Sequence, residues 1–148
     1  IKRVGPLKVM DKKEVEEHGK KMIEDLDIRC RSGKQLAGSL SGGNQQKVCI
    51  ARALTLKPEI LLVSEPTRGI DIGAKNLVLG TLQRINEEEG VTIVITSSEL
   101  AELRQISDRI AIISDGELQA ILPPGAPDEQ FGLAMAGNLE EVTDSDAS

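Results

Sequence analysis

The octapeptide LSGGNQQK, Leu40 to Lys47, followed one helix later by ILLVSEPTRGID, Ile60 to Asp71, decides how this chain is read. A serine and two glycines at the head of a helix make a ready anion site, because unpaired backbone N–H groups and the positive end of the helix dipole meet there. Phosphate is the expected guest. Ser41 is an N-cap candidate for a helix running through Gln45, Val48, Ala51 and Leu54, which Pro58 then closes off. The unbroken apolar run Ile60 to Val63 suits a strand buried on both faces of a parallel sheet.

Working outward, a second apolar run at Val91 to Ile95 predicts another strand, and Leu77, Val78, Leu82 and Ile85 give the intervening helix one apolar stripe. Strand, helix, strand is the unit of a right-handed crossover. A third strand is expected at Arg109 to Ile113, with Asp115-Gly116 as a tight hairpin turn into Glu117 to Leu122. Upstream, Asp11 and Glu14 form a capping-box-like start to a helix carrying Val15, Met22, Ile23 and Leu26 on one face, weakened by Gly19. The stretch Arg29 to Ser39 reads as a loop. Pro123, Pro124, Gly125 and Pro127 end regular structure, a short helix is expected around Phe131 and Met135, and the final NLEEVTDSDAS reads as disordered. No internal repeat is found.

The chain has 148 residues, enough for one domain with a real core. With one Phe and no Trp or Tyr, that core must be built from Ile, Leu and Val, and the chain has almost nothing on which to stack a nucleobase. A net charge of -6 argues against nucleic acid as a main partner. Cys30 and Cys49 lack metal-ligand spacing, so reduced thiols in a cytosolic protein are the economical reading. No run approaches the roughly 20 apolar residues of a membrane-spanning helix, and no leader-like start is seen, so membrane association is expected through a partner.

The two motifs, in this order and a helix apart, resemble the ATP-binding-cassette (ABC) ATPases, with LSGGNQQK as the signature sequence and ILLVSEPTRGID as the Walker B strand and D-loop. The variants GNQQK and EPTRGID are similar to the subfamily that imports simple sugars, and the resemblance covers about Met22 to Leu122. It implies an α/β, partial P-loop NTPase fold: a mostly parallel sheet with flanking helices, the Walker A half missing, since no GxxxxGK[ST] occurs. Residues 1–39 would end the helical subdomain, 40–122 would hold the signature helix and the C-terminal half of the ATPase core, and 123–148 a short helix and an acidic tail. In the family, the Walker A strand lies between the strands expected at Val91–Ile95 and Arg109–Ile113. The isolated chain is therefore expected to rearrange, to exchange strands with another copy, or to be marginally stable.

The resemblance also implies roles. Ser41, Gly42 and Gly43 would meet the γ-phosphate of ATP held by the opposite cassette, with Gln45 as a further nucleotide contact near the seam, Asp71 as the D-loop acid and Glu65 as the carboxylate that positions the attacking water. A plain capped turn at Ser41, a solvated Glu65 and an N-cap role for Asp71 are the alternatives, the last compatible with the first role. Two departures stand out: Ser64 replaces the aspartate that helps hold Mg2+, and Ser98, in TSSELAE, aligns with the switch histidine. Both point to a slow or silent site of its own, and no metal ligand is assigned. ATP and Mg2+ are expected in the full assembly. The expected partners are a complementary cassette, membrane permease subunits and a substrate-binding protein, at the inner face of the cell membrane. Two further readings remain: a nucleoside-importer ATPase, suggested by FGLAMAG, and a non-hydrolysing regulatory module.

Overall fold

Asp11 takes a carboxylate oxygen to the N–H of Lys13 and so opens the first helix, α1 (Lys12–Asp25). This computed structural model describes residues 3–4 and 9–137. The acidic tail from Asn138 onward, expected to be disordered, lies outside the described residues. Ahead of α1, Arg3–Val4 (β1) and Val9–Met10 (β2) pair antiparallel. The chain divides into two units, residues 1–95 and 96–148.

In the first unit, α1 leads through Leu26 and Ile28 to a loop that carries one 3-10 turn, Ala37–Ser39, and then to α2 (Gly42–Leu54). The strand β3 (Ile60–Ser64) follows, then α3 (Ile72–Glu89) and β4 (Thr92–Thr96), with β3 and β4 as hydrogen-bonded neighbours. The helix α3 ends on Gly90, whose left-handed backbone (φ 68°) lets its N–H reach Asn86 O. Leu26, Ile50, Leu54, Leu61, Val78, Leu82, Ile85 and Val91 form an aliphatic core, as the near-absence of aromatics requires. Of the stripe expected on α3, Val78, Leu82 and Ile85 are buried, whereas Leu77 stays half in solvent.

The expectation that β3 is buried on both faces is corrected by the structure. Leu61 is buried and Val63 partly so, while Ile60 is 59% and Leu62 75% exposed. An apolar run qualifies a strand for cover on both sides, but cover requires a layer, and within this unit the core lies against the Leu61 face.

The second unit contains α4 (Leu100–Ile106), the antiparallel hairpin β5 (Ile110–Ser114) and β6 (Glu117–Leu122), and α5 (Asp128–Met135). Its turn is the expected one: Asp115 and Gly116 both have positive φ, 51° and 82°, the backbone a two-residue hairpin connection demands. Phe131, 1% exposed, anchors a small core with Ile110, Ile112, Ala126 and Ala134. Arg104 lies over its ring, 4.7 Å from the centroid, and bonds the carbonyl of Ala126 and the carboxylate of Asp128. The pairs β3–β4 and β5–β6 form separate two-stranded sheets, the second of them antiparallel.

Candidate functional site

The α2 helix starts as the sequence predicts, with Ser41 as its N-cap in extended conformation (φ -62°, ψ 155°) and Gln45 N bonded to Ser41 O at 2.9 Å. The hydroxyl, however, makes no cap bond to the backbone. It receives the side-chain amide of Asn44 instead, at 2.8 Å. The amide hydrogens of the first helical turn thus keep their usual lack of intrahelical acceptors at the very end that attracts anions.

Two glycines in the first turn are a poor choice for helix stability, at about 1 kcal/mol each relative to alanine. Packing explains them. A β-carbon on Gly42 would fall 2.7 Å from Ile70 Cγ2, and one on Gly43 would fall 2.8 Å from Ala74 Cβ. Only bare backbone lets the head of α2 seat on the corner where the chain turns into α3. Asp71, beside Ile70, caps α3 by accepting from Ala74 N at 2.9 Å. The capping role and a place at the site coincide in this residue.

Between these two helix heads lies a cleft of about 350 Å³, lined by Ser41, Gly43 and Asn44 from α2 and by Asp71, Gly73 and Ala74 from α3. Asp27, Arg29, Lys47 and Leu77 complete its walls. The structure therefore brings together Ser41, Gly43 and Asp71, with Gly42 packed directly behind them. Gln45 is one position further on and turns away to donate to Leu40 O at 2.8 Å; it is not part of the cleft wall. Glu65 follows β3 with a left-handed backbone (φ 46°), half-buried and also outside the cleft wall. Such a conformation costs a non-glycine residue about 1 kcal/mol or more, which only the surrounding structure sustains. Ser64 is exposed at the end of β3, and Ser98 is exposed in a bend ahead of α4, in the second unit.

Two participants escape the sequence reading. Asn44 bonds both Ser41 Oγ and the backbone N–H of Arg29. Lys47, the last letter of the octapeptide, is 5% exposed, and its ammonium donates to Asp27 O at 3.1 Å with the Asp27 carboxylate at 3.9 Å. Burial pulls its proton affinity below the ordinary lysine value; Asp27 opposes this, and Arg29 and Arg84 reinforce it. The one available signal was spacing, since Lys47 lies four residues beyond Gly43 and so on the same helix face.

Residues 5–68 match the profile of the ABC transporter family, which takes in the whole α2 segment and the end of β3. Over these residues the chain carries the pattern of the ABC transporter family. It is 40% identical over 134 residues to a nucleoside import ATP-binding protein, NupA, of Lactococcus lactis subsp. cremoris, covering 89% of this chain and 26% of that protein. It is 40% identical to a ribose import ATP-binding protein, RbsA, of Bacillus cereus, covering 78% of the chain and 23% of the relative. A galactose/methyl galactoside import ATP-binding protein, MglA, of Treponema pallidum is 40% identical over 91% of the chain and 26% of its own length. The chain thus spans about a quarter of these curated relatives. Among solved structures, the ATP-binding cassette MJ0796, in a dimeric post-hydrolysis state bound to ADP and Pi, superposes with a TM-score of 0.67 at 28% identity, covering 80% of this chain and 51% of that one. The cassette MJ1267 shares the fold, with a TM-score of 0.70 at 22% identity over 91% of this chain and 52% of that one. The partial P-loop NTPase fold expected from the motifs is thereby established.

Proposed function

We propose that this chain supplies the signature turn, the Walker B strand end and the D-loop of an ATP-hydrolysing subunit of an ABC importer for simple sugars, as the C-terminal part of its second cassette. The observation that carries this reading is the head of α2, which lacks a side-chain cap and opens on a cleft shared with Asp71. Amide hydrogens there, with the Ser41 hydroxyl, would stabilise the γ-phosphoryl group of ATP brought by a complementary cassette. Glu65 would orient the attacking water, which suffices in a reaction governed by positioning and charge neutralisation. The α- and β-phosphates would need a glycine loop that these 148 residues do not contain.

A magnesium ion does not fit the donors present. Ser64 offers a neutral hydroxyl where a carboxylate is needed, and among the described residues no group of three or more His, Cys, Asp or Glu side chains could hold an ion. The Mg2+ of a working assembly would be held by residues outside this chain. Among the described residues no helix is long and apolar enough to cross a membrane. Contact with the membrane, on its cytoplasmic face, would run through permease subunits fed by a substrate-binding protein.

Nucleoside cargo is the second reading, favoured by the match to the nucleoside import protein over 89% of the chain. Cargo is separated from catalysis by uptake assays with labelled ribose and labelled nucleoside in cells carrying the full-length gene product and its permease. Catalysis is tested by ATP turnover of the full-length product carrying Glu65→Gln or Ser41→Arg. Loss with Ser41→Arg alone would mean that this part serves the partner's site only. Retained turnover in both variants would overturn the proposal in favour of a regulatory module.

A further inference from the structure

We propose that Asn44 is a positioning residue that sets the direction of the Ser41 hydroxyl, an inference that rests on the nucleotide reading of the cleft. Its side-chain amide spans two fixed points. Oδ1 accepts from the backbone N–H of Arg29 at 2.8 Å, and Nδ2 lies 2.8 Å from Ser41 Oγ. A backbone N–H can only donate, so the oxygen of the amide must face Arg29 and its NH2 group must face Ser41. The usual ambiguity of an asparagine flip is removed by that one bond.

The consequence falls on a single hydrogen atom. Because Nδ2 donates, Ser41 Oγ is the acceptor in this pair, and Asn44 presents nothing to which the hydroxyl could donate in return. Ser41 and Asn44 both line the cleft, and the hydroxyl is not engaged in capping the backbone of α2. Its hydrogen is therefore available to an anionic guest, and accepting from Asn44 makes the O–H a better donor. Gln45 braces the other side of the same corner by donating to Leu40 O. The Arg29 bond is the anchor that fixes the direction of the amide, and Arg29 and Asn44 both line the cleft.

The test is a double-mutant cycle in the full-length gene product, read as the KM for ATP and kcat separately. Asn44→Ala is expected to raise the KM by about three- to tenfold, the scale of one ordinary hydrogen bond. Ser41→Ala is expected to raise it at least as much, and the double variant to be no worse than Ser41→Ala alone. Multiplying effects would overturn the inference, because Asn44 would then be acting independently of Ser41. Asn44→Asp guards against a mere folding defect: its carboxylate still accepts from Arg29 N–H, but it draws the Ser41 hydrogen inward. It should raise the KM at least as much as Asn44→Ala. Wild-type affinity in Asn44→Asp would also overturn the proposal. If Ser41→Ala alone leaves the KM unchanged, the nucleotide reading itself falls, a result distinct from all of these.

Discussion

Gly43 sits so close to Ala74 that a β-carbon on the glycine would fall 2.8 Å from the alanine Cβ. Real β-carbons do not approach one another so closely, so the contact records how tightly the head of α2 is pressed onto the first turn of α3. Both would be β-carbons fixed directly to helix backbone, which cannot swing aside as the end of a long side chain would. The glycines of the octapeptide consequently serve the chain's own packing as well as the approach of a ligand.

Gly43→Ala is expected to destabilise the fold by about 1–3 kcal/mol despite the better helix propensity of alanine. Ala74→Gly in the same chain should recover part of the loss, because it removes the colliding methyl. Urea unfolding of the single and double variants measures both numbers. A Gly43→Ala chain at least as stable as the parent would show that the helix heads have room to part.

Asp71 can be split into its two roles by chemistry. Asp71→Asn keeps an oxygen for Ala74 N and should leave stability nearly unchanged, whereas Asp71→Ala should cost about 1 kcal/mol through the lost cap. ATP turnover of the full-length product should fall in both if the charge itself communicates across the cassette seam. Turnover that tracks stability alone would reduce Asp71 to a cap.

Lys47 gives the fold a signature at alkaline pH. Burial holds its folded value below the ordinary 10.5, so the folded chain gives up this proton before the unfolded chain does. Between the two values the unfolded state carries more protons, and stability rises with pH, completing its gain as the pH passes 10.5. The chain has ten lysines, so the contribution of Lys47 is read as the difference from Lys47→Met. Urea midpoints over that interval should climb in the parent and stay flatter in Lys47→Met. Equal slopes would remove burial of Lys47 as the cause.

Phe131 tests the second unit on its own. Replacing a ring that is 1% exposed by alanine should cost about 3–5 kcal/mol. Among the described residues five form that buried cluster, so hydrogen exchange should show the amides of β5, β6 and α5 losing protection while those of α2 and α3 keep theirs. Uniform loss across both units would mean that they unfold as one.

What the sequence made legible was local. The Asp115-Gly116 turn follows from two residues that tolerate positive φ, and β6 was read at its observed limits, Glu117 to Leu122. Ser41 and Asp71 were recognisable as helix starts because capping is written in neighbouring residues. The face of β3 was misread because hydrophobicity states what a strand tolerates, not which layer lies over it, and Leu62 at 75% exposed has none within its unit. The roles of Asn44 and Lys47 were hidden because their partners, Arg29 and Asp27, lie 15 and 20 residues upstream across a loop. Polar residues on a helix carry no periodic signal that names such a partner. The glycines were read as part of an anion site, and only the packing reveals that Ile70 and Ala74 lie against them.

Glu65, finally, occupies a backbone geometry that an unconstrained choice would give to glycine or asparagine. Laboratory evolution for heat resistance alone should drift toward those residues at this position, whereas selection for transport should restore the acid. On the role proposed for Glu65, the tip of one strand is a site where robustness and turnover pull in opposite directions.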